Sequence, residues 1–475
     1  MEALQSGAAE SRRTHLSGVR LAALALAAVI VALMLAAAAQ AYVPGRLVWA
    51  RTSGTAAHER GFSAIAKAPH GQFYGAGWVE TSAAKGEDVL VVKFDAAGRV
   101  LWTRTWDGGG GAADDWAQSA TSDAKGNVYV IGLAGGVTSS DIVTIKYSAA
   151  GKRQWVARWA GDGGSSDDPR AIAVDAQGNV VVAGARYSGP GITGIVVVKY
   201  DAGGVEKWVR LREPNPLDLQ DGGKWPADLA LDAAGDVYVT GYSYHDSVGQ
   251  AVTFKLASAD GAELYKATYD AAAGSYANAI AVRGQAVVIT GSAAQTASQE
   301  DVLVVKYDLA LVEQYRLEYA DPRGAQARDW GNDVAIGARG NAYVAGYSNC
   351  PPPGGYGYYN SALLLKVSDD GSMAQWARRY KPSGMGASTD LLILDGSDNL
   401  YAAGEIDTDA SEENMLVMKY SATGIRKWVR SWHDTGKDDD WPGGLVLGGS
   451  KALYVAGGGN ARGDVYRAVA LRIDR

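Results

Sequence analysis

Cysteine is almost missing from this chain. Cys350 is the only one in 475 residues, which excludes an intrachain disulfide framework and any cysteine-based zinc site. Histidine is scarce too. Once the N-terminal segment discussed below is set aside, His58, His70, His245 and His433 remain. None stands at a metal-binding His-x-x-x-His spacing, and neither a Gly-x-Ser-x-Gly elbow nor a phosphate-cradling glycine loop occurs. An excess of positive charge is lacking as well: 45 basic residues face 52 acidic ones, a net charge of −7, which repels a phosphate backbone and excludes a general nucleic-acid binder. Phenylalanine contributes four residues against 25 Tyr and 14 Trp. No Pro/Ser-rich linker divides the chain.

What is present is globular in composition, with 47% hydrophobic and 20% charged residues, enough apolar surface for a sizeable core. Glycine is abundant at 61 residues, nearly twice the usual ~7%, and implies many turns between many strands. One long uncharged run occurs. Arg12, Arg13 and Arg20 precede Leu21 to Ala41, which closes on Ala39-Gln40-Ala41, a small-x-small cleavage pattern. Residues 1–41 are therefore expected to be a signal peptide, and the protein to be exported to the periplasm, the cell surface or the extracellular medium. The run is also about as long as the ~20 residues that span a bilayer, so an uncleaved anchor is the alternative and the only expected membrane contact. Ser11-Arg12-Arg13-Thr14-His15-Leu16 is similar to a twin-arginine export motif, with His15 departing from its usual Phe. A lone cysteine suits an oxidising compartment.

Residues 42–475 are internally repetitive. An apolar-Tyr-Val-x-Gly segment places its glycine at Gly77, Gly132, Gly184, Gly241, Gly291, Gly346, Gly404 and Gly457. A strand follows whose basic residue is Lys93, Lys146, Lys199, Lys255, Lys306, Lys366, Lys419 or Arg472. A Gly-x-x-x-aromatic segment comes third, at Trp102, Trp155, Trp208, Tyr265, Tyr315, Trp376 and Trp428, one copy short of the other two series. Gly45 to Arg51, with Trp49, supplies the missing copy at the other end of the chain. Each repeat reads as four short strands joined by Gly-containing turns. The predicted fold is all-β: a single domain forming an eight-bladed β-propeller with four antiparallel strands per blade, the last blade closed by the N-terminal strand of the mature chain. Closure removes exposed sheet edges.

Asp123 to Gly132 (Asp-x-x-Gly-Asn-x-Tyr-Val-x-Gly) followed by Asp141 to Tyr147 resembles the bacterial SBBP-type beta-propeller repeat, across nearly the whole mature chain. That resemblance implies an exported or surface propeller and carries no catalytic residues over. Asp95 to Trp102 and Asp201 to Trp208 are partially similar to the Asp-x-x-Gly-x-x-x-Trp signature of quinoprotein-like eight-bladed propellers. Dehydrogenases of that group hold a vicinal cysteine pair beside the cofactor, which a chain with one cysteine lacks.

Function is expected on the face carrying the variable segments 133–140, 185–193, 242–249, 347–360 and 405–414, because uniform turns belong to the scaffold. Near that face, at the start of each innermost strand, a tryptophan recurs in alternate repeats: Trp116, Trp225, Trp330 and Trp441, with Tyr276 at the fifth position. Acids precede several of them, among them Asp115, Asp329 and Asp440. Indole faces stack on sugar rings or cations, and carboxylates accept hydroxyl hydrogen bonds. The same tryptophans would also fill the mouth of a wide channel. The fourth-strand aromatics read as packing between blades. Asp407-Thr408-Asp409 with Glu412 and Glu413 offers oxygen ligands to calcium but lacks the glycine turn of a calcium loop, so a solvated acidic loop is the preferred reading and no cofactor is expected. Cys350 reads as a spare thiol. The expected function is non-catalytic binding of envelope polysaccharide or a protein partner, by a monomer. A carbohydrate-active hydrolase or lyase using acids at the channel mouth is the alternative.

Overall fold

The computed structural model describes residues 43–54, 59–82, 86–108, 113–136, 139–161, 166–187, 193–212, 221–246, 248–296, 299–322, 328–350, 359–382, 386–409, 412–434, 439–449, 451–461 and 465–475. The expected signal peptide lies outside them, as do parts of the variable segments. The described residues form 32 strands, arranged as six separate four-stranded sheets and one eight-stranded sheet. The larger sheet is two four-stranded units joined by a single parallel bridge, Glu300 to Arg328. Within every unit neighbouring strands run antiparallel, in the manner of a β-propeller. The units span 60–106, 116–159, 167–212, 221–269, 274–319, 328–380 and 391–432, and an eighth comprises 440–474 with Leu47–Ser53. Among the described residues no helix is long and apolar enough to cross a membrane.

The two middle strands of each unit are continuous apolar runs because other units cover both of their faces. In the second unit Val128–Gly135 is buried along all but its last residue, and its Val130 packs in one cluster with Val89 and Val91 of the first. The fourth strand alternates instead. Arg153–Trp159 exposes every second side chain, the period-2 signature of a sheet edge facing solvent.

The recurring residues hold unit to unit. Asp123 accepts hydrogen bonds from the backbone N–H of Lys125 (3.0 Å) and Asn127 (2.9 Å) and from the Tyr129 hydroxyl (3.0 Å), fastening a turn in which Gly126 adopts φ +79°. The Lys146 ammonium lies 4.9 Å from the centre of the Tyr129 ring and donates to the Ala202 carbonyl of the next unit at 2.9 Å. Trp155 donates to that same carbonyl at 3.1 Å. Lys93 and Trp102 share Ala149 O, and Lys366 and Trp376 share Ala422 O, in the same way. The fourth-strand tryptophans thus pack between units.

Leu47–Ser53 pairs antiparallel with Val465–Asp474, aligning Trp49 with Arg472. Arg472 in turn donates to Ala96 O of the first unit at 3.3 Å, and Tyr454, Ala456 and Ala468 of the eighth unit share a buried cluster with Phe62, Phe73 and Leu90 of the first.

Candidate functional site

The recurring glycine of the second strand is the reason a rim position exists. At Gly132 a Cβ would lie 2.0 Å from the Trp116 carbonyl oxygen, and at Gly346 a Cβ would lie 1.8 Å from that of Trp330. Only glycine permits this approach. The first strand bulges beside it, between Ala117 and Ser119 and between Gly331 and Asp333, which re-aims the preceding side chain. Tyr276 stands in the same relation to Gly291, at 1.9 Å, so the fifth unit presents it in the tryptophan position.

The rim aromatics are not isolated indoles. Trp225 stacks on Tyr242 with centroids 5.3 Å apart and 21° between planes, and Tyr244 meets its edge at 5.4 Å. Tyr276, from the next unit, lies 5.1 Å from Tyr242 and closes the group. Trp330 stacks on Tyr347 at 5.8 Å and donates its indole N–H to Glu300. Trp441 and Trp78 approach Tyr466 edge-on, at 6.1 and 5.8 Å. Trp116 has no ring neighbour among the described residues. The stacked partners Tyr242 and Tyr347 sit directly after the recurring glycine, paired with the rim tryptophans across the two strands. Sequence reasoning missed them, although their position after each glycine was the available signal.

Acids continue the same arc. Glu300 influences both Tyr276 and Tyr347. Asp390 accepts from the side chains of Asn332 at 2.8 Å and Ser388 at 3.1 Å. Glu405 follows Gly404 as Tyr347 follows Gly346, and it shares a hydrogen bond with Glu413. Burial, then the charges of Asp390 and Glu413, raise the Glu405 carboxyl well above the carboxylate range, so the pair retains a proton at neutral pH. Burial pushes the Tyr276 phenol up to about 12, aided by Tyr244 and Glu300, and leaves it a neutral donor. From the fourth unit to the seventh the rim therefore offers ring faces, phenol donors and carboxylate acceptors.

Asp115, Asp329 and Asp440 lie beneath this rim rather than on it, at 2%, 0% and 1% exposure. Each accepts a backbone N–H from the segment leading in from the previous unit: Gly108 at 2.5 Å, Asp321 at 2.6 Å and Asp434 at 2.9 Å. Asp167 does the same for Gly161 at 3.0 Å. Their carboxylates fasten inter-unit connections, which removes them from the pool of exposed hydroxyl acceptors. Asp407 accepts from Gly386 N–H at 3.0 Å. The side chains of Thr408, Asp409, Glu412 and Cys350 lie outside the described residues. A concavity of about 610 Å³ lies between 65–69, 120–124 and Val446, and none of the rim aromatics lines it.

No protein-family model matches the chain and no curated protein does. Similar solved structures include a protein of unknown function from Dyadobacter fermentans, 11% identical over 91% of this chain and 100% of that one, with a TM-score of 0.42. The WD40 domain of SCAP from fission yeast is 8% identical over 89% and 98%, at 0.43. A GH93 alpha-L-arabinofuranosidase of Fusarium graminearum, in complex with arabinobiose, is 11% identical over 64% and 92%, at 0.39. Likenesses this distant bear on no activity, and the propeller architecture stands on the sheet geometry described above.

Proposed function

We propose that residues 42–475 form one exported, closed, eight-bladed propeller that binds carbohydrate, of the kind found in envelope polysaccharides, along the rim of its variable-loop face. Closure is supported by Arg472, which grips the turn carbonyl of the first unit as Lys146 grips that of the third. The observation that carries the ligand class is the Trp225, Tyr242, Tyr244 and Tyr276 group, with Glu300 beside it. Ring faces take up the apolar face of a pyranose, and flanking phenols and carboxylates pair its hydroxyls. SBBP-type repeats and residues 1–41 as an export signal belong to the same reading.

Titration calorimetry and thermal shift against a panel of polysaccharides test it. A bound glycan at 100 times its dissociation constant is expected to stabilise the protein by about 2.7 kcal/mol. Trp225→Ala with Tyr276→Ala is expected to abolish that response while the protein stays folded. A panel without a binder, or binding that survives the double variant, would overturn the reading.

A second reading is favoured by one observation, the hydrogen bond between the Glu405 and Glu413 carboxyls beside Asp390. A shared proton between carboxylates suits general acid catalysis of glycoside cleavage. Release of reducing ends from a bound glycan, lost in Glu405→Gln with binding kept, would establish it.

A further inference from the structure

Acids gather at several seams between units, and in two of them an arginine answers the charge. Arg379 reaches Asp321 at 2.5 Å beside Asp329. Arg467 reaches Asp434 at 3.3 Å beside Asp440. The seam between the first two units differs. Arg158 stands where Arg379 stands in its own unit, three residues past the fourth-strand tryptophan, but its carboxylate partner is Asp141 at 2.5 Å, and its other nitrogens donate to the carbonyls of Gly108 and Ala134 at 3.4 Å. That leaves Asp88, Asp107 and Asp115 together, with one carboxylate oxygen of each within 4.8 Å of the others.

Asp88 is 9% exposed, and among the described residues no N–H, hydroxyl or cation is bonded to its carboxylate. An unpaired carboxylate at this depth, facing two more, is unfavourable unless a cation compensates. Glu87, the chain neighbour of Asp88, feels the charges of Asp114, Glu80 and Glu59, so acids also gather along the adjoining strand. Asp115 still has lone pairs to offer beyond the N–H groups of Gly108 and Gly135 that it accepts.

We propose that Asp88, Asp107 and Asp115 bind a calcium ion that staples the first unit to the second. Calcium takes oxygen ligands at about 2.3–2.6 Å, so opposite ligands on one ion stand up to about 5 Å apart and all three oxygens fit a single coordination sphere. The ion neutralises three carboxylates whose neighbouring arginine, Arg158, is ion-paired to Asp141, and exposed Asp107 gives it a way in from solvent. This site is independent of the glycan rim and of the Asp407 loop.

Trp106 supplies a reporter. Its ring edge and Asp115 Oδ1 lie 2.7 and 2.8 Å from the Cβ position of Gly108, which is near enough for the indole to sensitise a bound lanthanide. The full chain, stripped with chelator, is expected to give tryptophan-sensitised terbium luminescence that calcium displaces, and calcium is expected to raise its melting temperature. Asp88→Asn, which removes no hydrogen bond among the described residues, is expected to weaken calcium competition at least tenfold. Asp107→Asn at the exposed corner serves if that variant does not fold. Asp141→Asn is expected to leave the signal intact. Absence of sensitised luminescence in the parent protein, or calcium competition unaltered in the Asp88 and Asp107 variants, would overturn the proposal.

Discussion

Asp440 shows how a single buried acid makes this protein sensitive to pH. Burial pushes its carboxyl up to about 7, opposed by the backbone N–H of Asp434 and by His433, while the charges of Asp434 and Asp439 add to the rise. Burial likewise takes Asp329 to about 6. Because these groups bind protons more tightly when folded than at the unfolded value of ~3.9, their contribution is complete below about pH 4 and is lost as pH rises through 6 to 7. Asp123 moves the other way: against its burial, Asn127, Tyr129 and two backbone N–H groups hold it low, so its contribution fades only in acid. The melting temperature is accordingly expected to fall between about pH 5 and about pH 8. Asp440→Asn keeps an acceptor for Asp434 N–H and is expected to raise the melting temperature at the alkaline end while flattening the profile. A variant as pH-dependent as the parent would assign the slope to other groups. None of this was legible beforehand, because Asp440 reads in sequence as one more exposed acid in the run that ends at Trp441.

At the scale of the strand, the repeat is a device for gripping the next unit. Lys146 contributes a charged hydrogen bond to Ala202 O and a ring contact with Tyr129, and burial lowers its pKa. Lys146→Met keeps the buried stem and removes both interactions, at an expected cost of about 2 kcal/mol, read as a lower denaturation midpoint in urea. A midpoint unchanged within error would mean that Trp155 holds the carbonyl alone. The pairing of this lysine with a tyrosine and a tryptophan was visible as a period of 50 to 60 residues. Its target was not, since a backbone carbonyl belongs to every residue and leaves no mark in the sequence. The stacked Tyr242 and Tyr347 escaped for a related reason: they neighbour the rim tryptophans across a strand pair, while they lie 17 residues away along the chain.

For the whole molecule, the first strand decides whether an edge is exposed. Leu47–Ser53 covers Val465–Asp474, and Arg430 of the seventh unit donates to Gly45 O at 2.5 Å. Deleting residues 43–54 would leave the unpaired backbone of Val465–Asp474 available to another chain. The truncated protein is expected to melt at lower temperature and to associate, as light scattering after size exclusion would show. A monomer of unchanged stability would mean that the last sheet needs no fourth strand.

The all-β class, the four-strand unit, its turns and the strand that joins the two ends of the chain are all written in the linear order of residues. These depend on local chemistry and on short periods: glycine where φ is positive or a carbonyl crowds in, β-branched runs where both faces are covered, Asp-x-x-Gly-Asn where a turn must be fastened. Which aromatics form a surface, and which carboxylates are already engaged, depends on contacts between units. Asp115, Asp329 and Asp440 look alike along the chain, yet one meets Asp88 and Asp107 while the others lie beside arginine-paired acids. Charge balance is settled between residues from different units, and a linear sequence holds those distances only through the fold.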